Sequence, residues 1–336
     1  MSENNRVTLQ DIADEVGVSR VHVSRAIYSR GYVEERLRKK ILKKAEELNY
    51  APNRLATALV SGKTMNVLLA ISKGFYYYDI MSPVPNMIKC ISNELEKYGY
   101  WLQVSADLEE RRDIKADGII ILGGSEKKFR AFPEELFLKP MVTSFKMGGN
   151  KIETVEKYSI PYVAYDAFSG LLKLAEFVAK KNISKVCVMN LPSGNDPFPV
   201  KISEISTVFQ KYGINVGKDD VINIARKTER LTSQILDVMP ILKKYELCIL
   251  SSEILASHFY QAASIAKLKI PEDISIAGYD NAYYTQNFNP PLSSLYFSIE
   301  ELAQKLVSLL ISSINGDKGE RYHVMNTDFT DRGSIR

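Results

Sequence analysis

The chain has 336 residues, 45% hydrophobic and 25% charged, with a net charge of +4. That is enough apolar material for a sizeable core spread over two or three domains. No apolar run approaches the roughly 18 residues of a membrane span and the start carries no signal-peptide core, so a soluble, cytosolic protein without membrane contact is expected.

The charge is placed unevenly. Residues 1–63 hold 12 Lys and Arg against 8 Asp and Glu, so the net charge of +4 sits there and the rest is neutral. This is the footprint of a polyanion-binding head on a neutral body. A lysine-rich solvated helix, Arg38-Lys39-Lys40 with Lys43-Lys44, gives some of the same asymmetry.

In chain order, Leu9, Ile12, Ala13 and Val16 have i, i+3, i+4, i+7 spacing, one apolar face of a short helix capped by Thr8 and ended by Gly17. Ser19 caps a second helix with Val23, Ala26 and Ile27 inward. Its other face carries Arg20, Val21, Ser24, Arg25 and Tyr28, and a solvated helix has little use for Val21 there. In a major groove, Arg forks onto guanine O6 and N7 and an aliphatic group meets a thymine methyl. The same spacing also fits a helical hairpin with a basic solvated face. Val33, Leu37, Ile41, Ala45 and Leu48 make a third amphipathic helix, long enough to close a three-helix core.

Next comes a hinge-like run, Pro52-Asn53-Arg54-Leu55-Ala56 to Ser61-Gly62-Lys63-Thr64. With Thr8-Leu9-Gln10-Asp11-Ile12-Ala13, Gly17-Val18-Ser19, Val23-Ser24-Arg25, Gly31-Tyr32-Val33 and Leu48-Asn49-Tyr50, it resembles the lac-repressor and galactose-repressor family of bacterial transcription regulators. The resemblance implies a helix-turn-helix head over 1–52, a hinge helix and linker over 53–63, and an effector-binding and dimerisation domain over 64–336. It implies that Arg20 and Val21 choose the operator, that Arg25 reads a base and that Leu59 wedges into the minor groove. The expected DNA-facing set is Thr8, Leu9, Ser19, Arg20, Val21, His22, Ser24, Arg25, Tyr28, Tyr32, Asn53, Arg54, Ala56 and Leu59. Tyr28, where Asn is common, and Glu34 and Leu37, where Ser or Thr is usual, depart from the pattern. A segment of about two helical turns is marginal alone in water, so the hinge needs a partner to form; a plain tether is the other reading.

From Asn66 short apolar runs alternate with amphipathic segments, an α/β pattern of parallel sheet covered on both faces. Strands are expected at 67–71, 101–105, 118–122, 141–144, 185–189, 220–224, 246–251 and 274–278. Helical periodicity runs through Ile88, Ile91 and Leu95; through Phe168, Leu171, Leu172, Ala175 and Val178; and through Ile299, Leu302, Ala303, Leu306 and Leu309. The resemblance implies a periplasmic-binding-protein-like sensor of two doubly wound α/β subdomains, one at about 64–162 and 292–320, the other at about 163–291 and 321–336. Its marks are Asp166 with Ser169-Gly170, the run Ile270 to Asn281, Pro290-Pro291-Leu292-Ser293-Ser294, and the tail Asp328 to Ser334. Residues 107–116 are too short for a full crossover, which takes about 10–12 residues including its helix.

Ligands in open α/β sheets bind beyond the carboxyl ends of strands. After the first strand stand Phe75, Tyr76, Tyr77 and Tyr78, which offer a flat surface for a sugar ring, or else pack under the loop and at an interface. By resemblance Asp280 accepts bonds from sugar hydroxyls, Lys201 stands for an arginine, Ser252 with Glu253 stand for Asn-Asp, and Phe145 replaces an acidic contact. Lys201 also reads as a solvated charge, Glu253 as a helix N-terminal acid and Phe145 as core.

An enzyme is not supported. Neither Gly123-Gly124 nor Gly148-Gly149 belongs to a nucleotide-binding turn, and His22, His258 and His323 complete no triad or metal spacing. Cys90, Cys187 and Cys248 read as core thiols in a reducing compartment. The expectation is a cytoplasmic, homodimeric repressor of carbohydrate-utilisation genes without cofactor or metal. It binds double-stranded operator DNA under control of a small sugar-like effector, with pairing into a dimer of dimers left open. The alternative is a repressor with a degenerate sensor, controlled by a partner protein or by nothing.

Overall fold

A computed structural model describes residues 7–28, 32–50, 62–71, 84–105, 114–123, 126–146, 152–191, 202–225, 230–279, 282–317 and 319–336. The chain divides into two compact units, Met1–Thr64 and Met65–Arg336.

In the first unit, α1 spans Leu9–Val16, α2 Arg20–Ile27 and α3 Glu35–Glu47. Thr8 and Asp11 form a reciprocal capping box at the start of α1, and Gly17 ends it at φ 79°, a left-handed conformation that costs glycine nothing. Ser19 caps α2 as its position predicts. Glu34 gives α3 no side-chain cap, a consequence of the departure from Ser or Thr there. The three apolar faces meet in a core of Ile12, Ala13, Val16, Val23, Ala26, Ile41 and Ala45, with Val33, Leu37, Leu48 and Tyr50 packed around it. Each large aliphatic side chain removed from water there contributes roughly 1.5–3 kcal/mol.

The second unit holds two six-stranded sheets. β1 (Asn66–Ile71), β2 (Trp101–Ser105), β3 (Gly118–Leu122), β4 (Met141–Lys146) and β5 (Tyr162–Asp166) make the first with β11 (Tyr322–Asn326), in the order β11-β5-β4-β3-β1-β2. β6 (Val186–Asn190), β7 (Val221–Asn223), β8 (Leu247–Leu250), β9 (Ser275–Gly278) and β10 (Ser293–Tyr296) make the second with β12 (Asp328–Thr330), in the order β12-β10-β9-β8-β6-β7. Pairing is parallel apart from β10 with β12. β3 and β8 are buried at every position, because helices cover both faces of the sheets.

Four strands, β5, β10, β11 and β12, were not marked by alternation, and they shift the subdomain boundaries. β5 belongs wholly to the first sheet, between β4 and β11; β10 belongs to the second and β11 to the first. The chain therefore crosses after Asp166, after Tyr296 and at Thr327, not at 162/163, 291/292 and 320/321. A strand leaves its sheet only after its last ladder bond is made, since each unpaired backbone group inside would be costly. β2 forms an edge, and Trp101 on it is 53% exposed. The short connector behind it, 106–113, lies outside the described residues.

Candidate functional site

On α2 most of the outer face comes together as the spacing predicts. Arg20 and Arg25 are exposed, Ser24 is half-buried, and Val21 is 56% exposed although aliphatic. Ser19 and His22 join at the helix start, Oγ to Nδ1 at 2.8 Å. The Thr8 hydroxyl is engaged in its cap, donating to Asp11 Oδ2 at 2.8 Å, while the Thr8 N–H donates to the same oxygen at 2.7 Å. These bonds hold the Asp11 carboxyl below its usual range. Leu9 packs against the three-helix core and Tyr32 is 87% exposed. Tyr28 does not stand free in solvent: it is half-buried, its hydroxyl 3.4 Å from that of Tyr50. The end of α2 abuts the segment after α3, so the phenol spans that junction. The Lys40 ammonium donates to the Val16 carbonyl at 3.3 Å, where the end of the α1 dipole favours a cation. Asn53, Arg54, Ala56 and Leu59 lie outside the described residues.

In the second unit three of the positions expected to meet an effector, Phe145, Ser252 and Glu253, are among the described residues. Phe145 lies along the sheet face, its ring 4.8 Å from that of Tyr162, which in turn stacks on Tyr322 at 5.6 Å. Phe145 is half-buried, so its ring is engaged in an aromatic stack along the adjacent strands rather than sunk in the core. Ser252 caps the helix α4 (Glu253–Ala266), accepting from the Ile254 N–H at 3.4 Å. Glu253 is 2% exposed, and its Oε1 accepts from the Ser294 hydroxyl at 2.9 Å. A Cβ on Gly278 would lie 2.7 Å from that oxygen, so glycine at the end of β9 is what admits the carboxylate. Burial lowers the Arg332 guanidinium pKa while the nearby Glu253 charge opposes the shift; Arg332 also donates to the Leu292 carbonyl at 2.8 Å. Phe75, Tyr76, Tyr77, Lys201 and Asp280 lie outside the described residues. Among the described residues no group of three or more His, Cys, Asp and Glu is placed to hold a metal, and no helix is long and apolar enough to cross a membrane.

Residues 8–53 match the model of the bacterial regulatory proteins of the lacI family, and residues 207–335 match that of the periplasmic binding protein-like domain. Together the two stretches span more than half of the chain. The chain belongs to the lacI family of bacterial regulatory proteins.

Among relatives of this lacI-family chain, the probable HTH-type transcriptional repressor ExuR of Bacillus subtilis strain 168 is 25% identical, over 98% of each chain. The lac repressor dimer bound to operator and the anti-inducer ONPF shares the fold at a TM-score of 0.69 and 18% identity, over 99% of this chain and 100% of that one. A CelR-cellobiose complex shares it at a TM-score of 0.66 and 18% identity, over 98% and 100%.

In this lacI-family chain two groupings had no local signal. Tyr165 stacks on Phe297, ring centroids 4.9 Å apart and 17° from parallel, at the first and second crossings. Ser169, Gly170 and Thr327 bond at the first and third. Ser169-Gly170 stood out as a motif, but its partner lies far along the chain.

Proposed function

We propose that this chain is a homodimeric, cytoplasmic repressor that binds palindromic operator DNA and is released or engaged by a small sugar-like effector. The observation that carries it is the outer face of α2, where Arg20, Val21 and Arg25 are exposed together on a helix locked by Ile12, Val23 and Ile41. Two cations beside an exposed aliphatic group match the edge chemistry of base pairs in a major groove. The repressor name of the Bacillus relative and the operator and cellobiose in the two similar complexes support the same reading.

Control then follows as a coupling free energy. An effector that closes the two subdomains shifts the paired first subdomains, separates the hinge segments, withdraws Leu59 from the minor groove and weakens both heads. An inducer binds the DNA-free arrangement better; a corepressor has the opposite preference.

A second reading, a repressor with a degenerate sensor, is favoured by the use of Phe145 in an aromatic stack, of Ser252 in a cap and of Glu253 in an internal bond. Fluorescence anisotropy on symmetric operators, with and without mono- and disaccharides and their phosphates, separates the two. A sugar that changes operator affinity reciprocally with its own binding establishes the switch; tight binding indifferent to every sugar establishes the second reading. No specific operator binding at all removes both.

A further inference from the structure

The phenols of Tyr28 and Tyr50 meet inside the head, hydroxyl to hydroxyl at 3.4 Å, 22 positions apart in sequence and partly shielded from water. Backbone bonds pin both residues. Tyr28 ends α2, its N–H donating to the Ser24 carbonyl at 3.0 Å. Tyr50 follows α3 through a left-handed stop. Asn49 sits at φ 52° and its N–H donates to the Glu46 carbonyl at 2.9 Å, while the Tyr50 N–H reaches back to the Ala45 carbonyl at 2.8 Å. A helix end bonded twice in this way leaves the residue after it little freedom, and Tyr50 also packs on the three-helix core.

A tyrosine that reads DNA presents its hydroxyl outward. That of Tyr28 is turned to the exit of α3, whereas Arg20, Val21 and Arg25 on the same helix are exposed. Directly after Tyr50 the chain leaves the head, into the run Pro52-Asn53-Arg54-Leu55-Ala56. Specific binding requires the recognition helix and that run to engage the same half-site. A slip of one base pair is only about 3.4 Å along the duplex, so the exit has to be fixed closely against α2.

We infer that Tyr28 is a positioning residue and not a base or phosphate contact. With Tyr50 it fixes the direction in which the chain leaves the head relative to the recognition helix, and thereby the spacing between half-sites that paired heads accept. This rests on the operator-binding reading above. The two phenols act as one unit, so losing either has the consequence of losing both.

The test compares the full-length chain with its Tyr28→Phe, Tyr50→Phe and doubly substituted variants. Each is titrated by fluorescence anisotropy on palindromic duplexes with randomised half-sites, whose central spacing is changed one base pair at a time. The parent should prefer one spacing. Tyr28→Phe should lower that preference about threefold, the worth of one long hydrogen bond, and the double variant should lower it no further. Base preference within the half-site and affinity for random-sequence duplex should stay at parental values. An unchanged spacing profile in Tyr28→Phe overturns the inference, as does an equal loss at every spacing, which marks a contact that only stabilises the head. A changed base preference makes Tyr28 a DNA contact and overturns it too; additive losses in the double variant overturn the pairing with Tyr50. A parent that binds no spacing specifically overturns the operator reading itself, and this inference with it.

Discussion

Ser169 and Thr327 hold each other from both sides across 158 positions of sequence: the Ser169 hydroxyl donates to the Thr327 carbonyl at 2.9 Å and accepts from the Thr327 N–H at 2.9 Å. The Thr327 hydroxyl donates to the Asp166 carbonyl at 2.7 Å and accepts from the Gly170 N–H at 2.9 Å. The first and third crossings are thereby one knot.

Thr327→Val keeps the shape of the side chain and removes both hydroxyl bonds, leaving the Gly170 N–H buried and unpaired. The expected loss is roughly 1–3 kcal/mol of stability in the second unit, and Thr327→Ser should restore most of it. Thermal unfolding of the three chains checks this; a Val variant as stable as the parent would show that the knot holds nothing.

Gly170→Ala tests the same knot by crowding. A Cβ there would lie 2.7 Å from Leu295 Cδ2 and from Thr327 Oγ1, and 2.9 Å from the Asp328 carbonyl. Overpacking of this kind costs about 1–3 kcal/mol, read as a lowered midpoint in urea.

Arg25→Ala in the head should weaken specific operator binding by about 1–3 kcal/mol per half-site and relax the base preference there. Lys40→Ala, whose ammonium caps the end of α1 on the Val16 carbonyl and is not on the outer face of α2, should change base preference little. Anisotropy titrations on an operator library measure both, and unchanged base preference in Arg25→Ala would remove that residue from the reading role.

Acid should destabilise the second unit partly through Glu246. Its carboxylate accepts from the Ser184 N–H at 2.9 Å and the Lys185 N–H at 3.1 Å, which lowers its pKa from the ordinary 4.5. A carboxyl whose folded value is depressed contributes fully above its unfolded value, and that contribution disappears as pH falls through the folded one. Stability should thus decline below pH 4.5, and Glu246→Gln should flatten that decline while lowering stability at pH 7. Equal acid profiles for the two chains would count against the role.

Cys187 and Cys248 are register partners on β6 and β8, both fully buried. The adjoining Cys248 thiol and burial push the Cys187 thiol pKa up, so little thiolate forms at neutral pH. Ellman's reagent should leave both untouched in the native chain and label them at the rate of unfolding; rapid native labelling would contradict the burial.

The sequence by itself determined whatever depends on neighbours three or four positions away. The Thr8–Asp11 box, the Gly17 stop, the Ser19 cap and the exposed face of Arg20, Val21 and Arg25 follow from helical spacing alone. The apolar runs of β1, β3, β6, β8 and β9 were legible for a similar reason, since burial on both faces demands such runs. Tertiary structure decided what depends on which strand lies alongside. β5, β10, β11 and β12 carry polar residues at their ends or within, and β10, β11 and β12 find partners far along the chain that complete their ladders. Phe145 turned to Tyr162, Glu253 bonded Ser294, and the Ser144 hydroxyl was left without a partner among the described residues. A side chain's satisfaction is set by the atoms around it in space, and those arrive from across the fold.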